Sequence, residues 1–539
     1  MAEYTTQPLT PPLKSHAPRP SWRTGFLLWI PAFLLVITIL LPVGYLVVRA
    51  LGGEAAIWDL VFRVRNLEIL WNSLVLAISV TFASIGISLP IAWLTTRSNL
   101  PFKRGWALLT ALPLVIPSYI GAYLFVSAMG PRGIVQGWLE VLFGIERIPS
   151  LYGFPGALYV LTMLTYPYIL LSLRAALSGM DPAVEEAARS LGHTPWQTFL
   201  RVTLPQLRPA LAAGSLLVVL YALRDFGAVA ILRYDTFTRA IYIQYQSSLD
   251  RSAAAVLSLI LILLTLIILG LETRKSTSSR LYSSSSHVRP PSIVPLGKWK
   301  WPAMLFCGAI ALVALIFPAL NLVYWLVRGV QSGEQISSLW RPSWNSLSVS
   351  LAAAFVTVAA SLPISILRVR RSDQYTFILE RLTYLGFALP GIVIALALVF
   401  FGANYVLILY QTTPMLIFAY MILFLPQAMG AVQSSLLHVH PNLEEAGRSL
   451  GKGPLQVFRG ITFPLVQPGL GAGAALVFLT AMKELPATLI LSPLGFKTLA
   501  TSIWGAVSEA FFAQAAAPAL LLILVSSVPM AFLTIRKQL

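Results

Sequence analysis

Two dipeptides carry opposite charges into otherwise apolar runs: Arg224-Asp225 and, 259 positions later, Lys483-Glu484. Each is a base followed by an acid. Charged side chains at membrane depth cost about 2.5–3.5 kcal/mol each on insertion scales, so they face a protein interior or a watery path and find partners there. Two roles fit. The charges lock helices together by mutual pairing, or they line a route for a charged solute. Successive helical residues point about 100° apart. Read as helical, Arg224 and Asp225 therefore meet other helices rather than each other. Other chemistry is missing. The fragments Gly451-Lys452-Gly453 and Gly495-Phe496-Lys497-Thr498 lack a phosphate-cradling loop, so the chain is read as binding no ATP itself. There is no His-Glu-x-x-His pattern. His193, His438 and His440 sit in or beside a repeated polar motif and read as surface histidines, so no metal ligands are assigned. Cys307 is the single cysteine, which excludes an internal disulfide and a cysteine-cluster metal site.

The repeated motif precedes each charged pair. The first copy, 181–205, contains Glu185-Glu186-Ala187-Ala188-Arg189-Ser190-Leu191-Gly192 and ends on Val202-Thr203-Leu204-Pro205. The second, 440–464, contains Glu444-Glu445-Ala446-Gly447-Arg448-Ser449-Leu450-Gly451 and ends on Ile461-Thr462-Phe463-Pro464. The spacing predicts two short helices at an angle. Asp181 caps the first, Pro182 opens it, and Gly192 ends it in the left-handed conformation. Thr194, Pro195 and Gln197 start the second as a capping box, and Pro205 punctuates the return to the apolar run. Gly451, Gly453, Pro454 and Gln456 do the same in the second copy. One such copy reads as a surface loop; two in register read as an internal repeat with a shared task.

The elements that hold these residues are membrane spans. Of 539 residues, 57% are hydrophobic and 11% charged, against about 25% charged in soluble domains; mean hydropathy is +0.77. Charge-free runs at 24–48, 69–96, 105–131 and 148–173, with segments near 208–231 and 253–271, give about six spans. Runs at 301–327 and 345–367, two within 382–437, and segments near 466–491 and 514–535 give six more. The layout is an all-α polytopic membrane protein of two parallel repeats, 24–271 and 301–539. A cytoplasmic tail (1–23) precedes them, and a flexible Ser-rich linker (272–300) joins them. Trp71-Asn72-Ser73-Leu74 recurs as Trp344-Asn345-Ser346-Leu347 at an offset of 273. The later offset of 259 implies a net deletion of 14 residues, placed between Asn404 and Pro414. Pro113, Pro117 and Pro390 mark kinked or broken helices. Net charge is +18. Its basic residues cluster in alternate loops, which reads as cytoplasmic bias rather than nucleic-acid binding. Both motifs and both termini then face the cytoplasm. An even number of spans per half disfavours inverted-repeat secondary transporters.

The pattern of Glu-Ala-Ala/Gly, then Gly, then Ile/Val-x-Leu/Phe-Pro resembles the coupling motif of ABC-type importer permeases, with Gly447 and Phe463 as departures. The resemblance implies that Glu185, Glu186, Ala187, Gly192 and Pro205, with Glu444, Glu445, Ala446, Gly451 and Pro464, engage a separate ATPase. Two ATPase copies would carry ATP and Mg²⁺, and this chain would bind no cofactor. Arg224-Asp225-Phe226-Gly227-Ala228 with Tyr234-Asp235-Thr236-Phe237-Thr238-Arg239, and Met482-Lys483-Glu484-Leu485-Pro486-Ala487-Thr488 with Gly495-Phe496-Lys497-Thr498, resemble the fused permeases of bacterial ferric iron importers. That implies an inner-membrane location and delivery of Fe³⁺ by a periplasmic binding protein. A hard cation prefers oxygen ligands, so Asp225 and Glu484 are the candidates along the path, the other reading being that the binding protein does most of the recognition. Fused thiamine permeases share the layout. A secondary transporter without an ATPase is the alternative of another class.

Overall fold

In lipid a backbone must satisfy its own hydrogen bonds, so long apolar runs become helices. The computed structural model describes residues 22–51, 63–130, 133–145, 149–247, 252–276, 293–333, 339–371 and 373–536. Most of the expected N-terminal tail and the Ser-rich part of the linker lie outside them. The first repeat comprises α1 (Trp22–Leu51), α2 (Val64–Arg97), α3 (Lys103–Leu109), α4 (Ser118–Met129), α5 (Ile134–Phe143) and α6 (Phe154–Gly179). It continues with α7 (Pro182–Ser190), α8 (Pro195–Thr198), α9 (Leu204–Arg224), α10 (Gly227–Ile231), α11 (Phe237–Ser247) and α12 (Ser252–Ser276). The second comprises α13 (Lys300–Ala311), α14 (Phe317–Gln331), α15 (Trp340–Arg370), α16 (Gln374–Ala388), α17 (Gly391–Tyr405) and α18 (Thr413–Leu437). It ends with α19 (Pro441–Ser449), α20 (Pro454–Val457), α21 (Phe463–Met482), α22 (Pro486–Leu491), α23 (Leu499–Ser508) and α24 (Phe512–Arg536).

Among the described residues nine helices are long and apolar enough to cross a membrane, or eleven when each of two bent pairs is one span. Helix α24 fills the last position of the second repeat, so the expected six-plus-six layout stands. The two bent pairs fall where the prolines predicted them. The chain turns by 96° at Pro117, between α3 and α4, and by 95° at Pro390, between α16 and α17. Both prolines are N-caps in extended conformation, as expected of a residue that removes a donor and disfavours helix before it. The 14-residue difference between repeats is α5, an extra helix where the second repeat has only a short turn, Leu407–Leu409.

One sequence expectation needs correction. The second helix of each motif is not a separate short element. A π turn, Phe199–Thr203 in one copy and Phe458–Thr462 in the other, joins it to the following span. Pro195–Arg224 is thus one 30-residue helix and Pro454–Met482 one of 29. A third π turn, Leu312–Ile316, joins α13 to α14. All three end one residue before Leu204-Pro205, Phe463-Pro464 or Phe317-Pro318. A proline ring clashes with the carbonyl four residues back; widening the preceding turn accommodates it without breaking the helix.

The repeats are interlocked. Helix α1 packs on α15, α16 and α17 of the second repeat as well as on α12. Helices α13 and α14 reciprocate on α3 and α4. At that crossing Asn321, buried on α14, donates to the Leu124 carbonyl at 2.9 Å and the Ser127 hydroxyl at 3.0 Å on α4. Asn321→Leu is expected to cost about 1 kcal/mol, read as a lower unfolding temperature in detergent. The end of the linker is also fixed rather than free. Val294 pairs with the loop after α2: its amide donates to the Arg97 carbonyl at 2.8 Å and its carbonyl accepts from Asn99 N at 3.3 Å.

Candidate functional site

A cavity of about 200 Å³ lies between the repeats and is lined by all four charged residues, Arg224, Asp225, Lys483 and Glu484. Its construction differs from the sequence reading. The charged pairs do not sit inside helices. Arg224 is the last residue of α9 and Asp225 its C-cap, while α21 stops at Met482 and Lys483 is its C-cap. After each pair the chain starts a short new helix, and the acid of the pair ties it down. Asp225 Oδ1 accepts the Ala228 amide at 3.0 Å, and Glu484 Oε1 accepts the Ala487 amide at 3.2 Å. A carboxylate over the N-terminal amides of a helix is stabilised by the helix dipole. That answers half of the question the sequence left open: the acids have a structural duty.

The second duty comes from the broken spans. Asp225 stands beside Ser118, the first residue of α4 after the break. The equivalent residue in the second repeat is Gly391, the first of α17, and a Cβ there would collide with the Glu484 carboxylate. The repeats therefore solve one packing problem twice. A short acid meets serine; an acid longer by one methylene meets glycine. Gly227 is a similar close approach, since a Cβ there would lie 2.7 Å from Tyr119 Cβ.

The bases reach across the cavity. Lys483 Nζ donates at 3.1 Å to the carbonyl of Leu114, in the broken span of the opposite repeat. Arg224 lies close enough to interact electrostatically with Glu484 across the repeats and with Tyr168 beside it. The walls differ between halves: Tyr168 and Tyr221 line the first-repeat side, and their counterparts Gln427 and Thr480, bonded at 3.1 Å, line the second. The Tyr119 hydroxyl is buried and has no hydrogen-bond partner among the described residues. Ser118, Tyr119, Gln427, Thr480 and the Leu114 carbonyl were not singled out by sequence. Pro117, matched by Pro390 at the same 273 offset as the other early matches, is the signal that marks Leu114, Ser118 and Tyr119; no such signal marks Gln427 or Thr480.

The two motifs form a second constellation. Asp181 caps α7, accepting Ala183 N at 3.0 Å, and Thr194 and Gln197 form the capping box. In the second copy the His440 ring takes the capping place, and only the Gln456 half of the box is present, accepting Gly453 N at 3.1 Å. Gly192 and Gly451 adopt φ of 88° and 80°, as the turn requires. Gly447 replaces alanine because a Cβ there would press on Ile461 Cδ1 at 2.6 Å.

The paired glutamates divide their work. Glu186 and Ala187 are exposed, as is Ala446, while Glu445 is half-buried. Glu185 turns inward, accepting from Thr203 at 2.9 Å and pairing with Arg97 of α2 at 3.7 Å. Glu444 does the same with Thr462 at 2.9 Å and Arg370 of α15 at 2.8 Å. Pro205 and Pro464 sit in the fused helices just past the π turns. Among the described residues no group of three or more His, Cys, Asp or Glu could hold a metal ion.

Residues 69–274 and 357–537 match the family described as binding-protein-dependent transport system inner membrane component. The chain belongs to that family. It is a fused, two-repeat permease of the ABC type, a multi-pass inner-membrane transport subunit. It is 34% identical over 512 residues to an Fe(3+)-transport system permease protein of Haemophilus influenzae, covering 94% of this chain and 97% of the relative. A ferric transport system permease protein of Actinobacillus pleuropneumoniae is 27% identical over 85% of this chain and 69% of its own. A molybdenum transport system permease protein of Escherichia coli is 32% identical, over 36% of this permease and 89% of its own length.

Proposed function

We propose that this permease carries ferric iron across the inner membrane, taking Fe³⁺ from a periplasmic binding protein and driven by two copies of a separate ATPase. The observation that carries the reading is the 34% identity, end to end, to a permease named for Fe(3+) transport. The cavity agrees with it. Asp225 and Glu484 supply hard oxygen atoms at one small site, the donor class a trivalent cation prefers. At about 30 Å³ per water, the cavity suits one ion with a few waters. The alternatives, a thiamine permease and a secondary transporter, are not favoured by relatives matched over most of the chain.

In this reading the ATPases carry ATP and Mg²⁺, bind Glu186, Ala187, Glu445 and Ala446 on the exposed faces of α7 and α19, and draw the two motifs together. Both motifs and both termini face the cytoplasm. The Lys483 contact to Leu114 bridges the halves across the cavity. Separating the halves breaks it and opens the path on one side. Fe³⁺ then passes from the delivering protein to the oxygen cluster and on to the cytoplasm.

The test is uptake by proteoliposomes holding the permease, its ATPase and the Fe³⁺-loaded binding protein. Asp225→Asn with Glu484→Gln is the informative pair. Each amide keeps an oxygen to accept the capping amide and loses only the charge. Uptake is expected to fall at least ten-fold with ATPase association unchanged. Undiminished uptake removes the carboxylates from the path, and ATP-dependent thiamine uptake in place of iron overturns the substrate.

A further inference from the structure

A second and larger cavity, of about 510 Å³, opens beside the first motif. It lies between the last turns of α2 and the fused helix that begins at Pro195. Leu89, Pro90, Trp93, Trp196, Phe199 and Val294 make it mostly apolar. Arg97, Arg189, Glu185 and Thr198 supply its polar atoms.

Those polar atoms are in an unusual state. Arg97 and Thr198 are each only 2% exposed. Arg97 Nε and Nη1 and the Thr198 hydroxyl have no hydrogen-bond partner among the described residues. Arg97 reaches the Met180 carbonyl through Nη2 at 3.4 Å, and Glu185 stands 3.7 Å from Nη1, beyond hydrogen-bond range. Leaving a buried donor unsatisfied costs about 1–3 kcal/mol, more for a charged group.

The second repeat supplies the control. Its equivalent arginine, Arg370, is satisfied: Nη2 bonds Glu444 at 2.8 Å and Nη1 bonds the Val439 carbonyl at 3.2 Å. Thr198 is replaced there by Val457, Trp93 by Ile366 and Trp196 by Leu455. The Thr198 hydroxyl and the Trp93 and Trp196 rings belong to the first repeat alone, as does the wall formed by Val294, while Arg97 and Phe199 recur as Arg370 and Phe458.

We propose that this cavity holds one anionic phospholipid, its phosphate oxygens on Arg97 and Thr198 and the start of an acyl chain along Leu89, Pro90 and Trp93. A guanidinium presents paired donors that match a phosphate. Leu89, Pro90 and Trp93 belong to α2, a helix long and apolar enough to cross a membrane, so an acyl chain is the apolar group to which that wall is suited. Basic pockets between spans are suited to anionic headgroups, and tryptophan belongs at the membrane interface. Arg97 and Arg189 outweigh Glu185 by one positive charge, which favours an anionic headgroup over one carrying its own cation. A bound lipid would brace the first motif against α2, the contact that Arg370 and Glu444 make directly in the second.

Native mass spectrometry of the full chain, released from detergent with phosphatidylglycerol, phosphatidylcholine or inorganic phosphate added, tests the proposal. One phosphatidylglycerol is expected to survive activation that strips phosphatidylcholine, with about ten-fold greater retention. Arg97→Gln should reduce it to the phosphatidylcholine level. Leu89→Trp, which fills the cavity and leaves Arg97 in place, should do the same and decides the matter if Arg97→Gln fails to fold. Equal retention of the two lipids, undiminished phosphatidylglycerol on Leu89→Trp, or its displacement by inorganic phosphate overturns the proposal.

Discussion

Glu185→Lys is expected to destabilise the first motif by about 3–5 kcal/mol, the cost of breaking a buried ion pair from one side, and to abolish transport. Arg97 is buried opposite Glu185, and Thr203 donates to the same carboxylate. A lysine there sets two cations together in a site with little water. The adjacent Glu186→Lys is expected to behave differently. Its side chain is exposed, so thermal unfolding in detergent stays within about 0.5 kcal/mol of wild type while co-purification of the ATPase fails. Equal loss of stability in the two variants would remove the division of labour between the paired glutamates.

Gly391→Ala should reduce transport about a hundred-fold, because the new methyl group takes the place of the Glu484 carboxylate. Overpacking of this kind costs about 1–3 kcal/mol, and here the group displaced is the one that caps α22 and lines the cavity. The first repeat predicts the remedy. Ser118 faces the shorter Asp225 in the same position, so Gly391→Ser combined with Glu484→Asp should recover most of the activity. Gly391→Ser alone, Glu484→Asp alone, their combination and wild type form a double-mutant cycle. A coupling energy near zero would show that Gly391 and Glu484 act separately.

Much of this arrangement can be read from the chain alone. The two offsets, 273 and 259, align the repeats and locate the extra helix α5. Proline chemistry foretells the breaks at Pro117 and Pro390, and glycine and capping chemistry foretell the turns at Gly192 and Gly451. These are local effects, fixed by residues within a few positions of one another. What the chain hides is non-local. Nothing in the run from 208 to 231 says that its helix stops at Arg224, because an apolar segment reads alike whether it crosses straight or breaks beside a neighbour. The exchange of α1 and α14 between repeats depends on which surfaces meet. The inward turn of Glu185 and Glu444 depends on Arg97 and Arg370, some 70 to 90 positions earlier. Matching offsets do flag that arrangement in retrospect. Arg97 recurs at 273 and Thr203 at 259, each polar residue preserved in its repeat.

The fusion of motif and span has a mechanical consequence. Residues 195–224 form one rod of 30 residues, about 45 Å long at 1.5 Å per residue. Its near end carries Trp196, 67% exposed beside the first motif, and its far end is Arg224 in the charged cavity. A tilt of only 5° about one end swings the other by about 4 Å, more than a hydrogen bond can stretch. Hinged loops would absorb such a push; a stiff pushrod, kept intact past Pro205 by its widened turn, delivers it to the charged cavity undiminished.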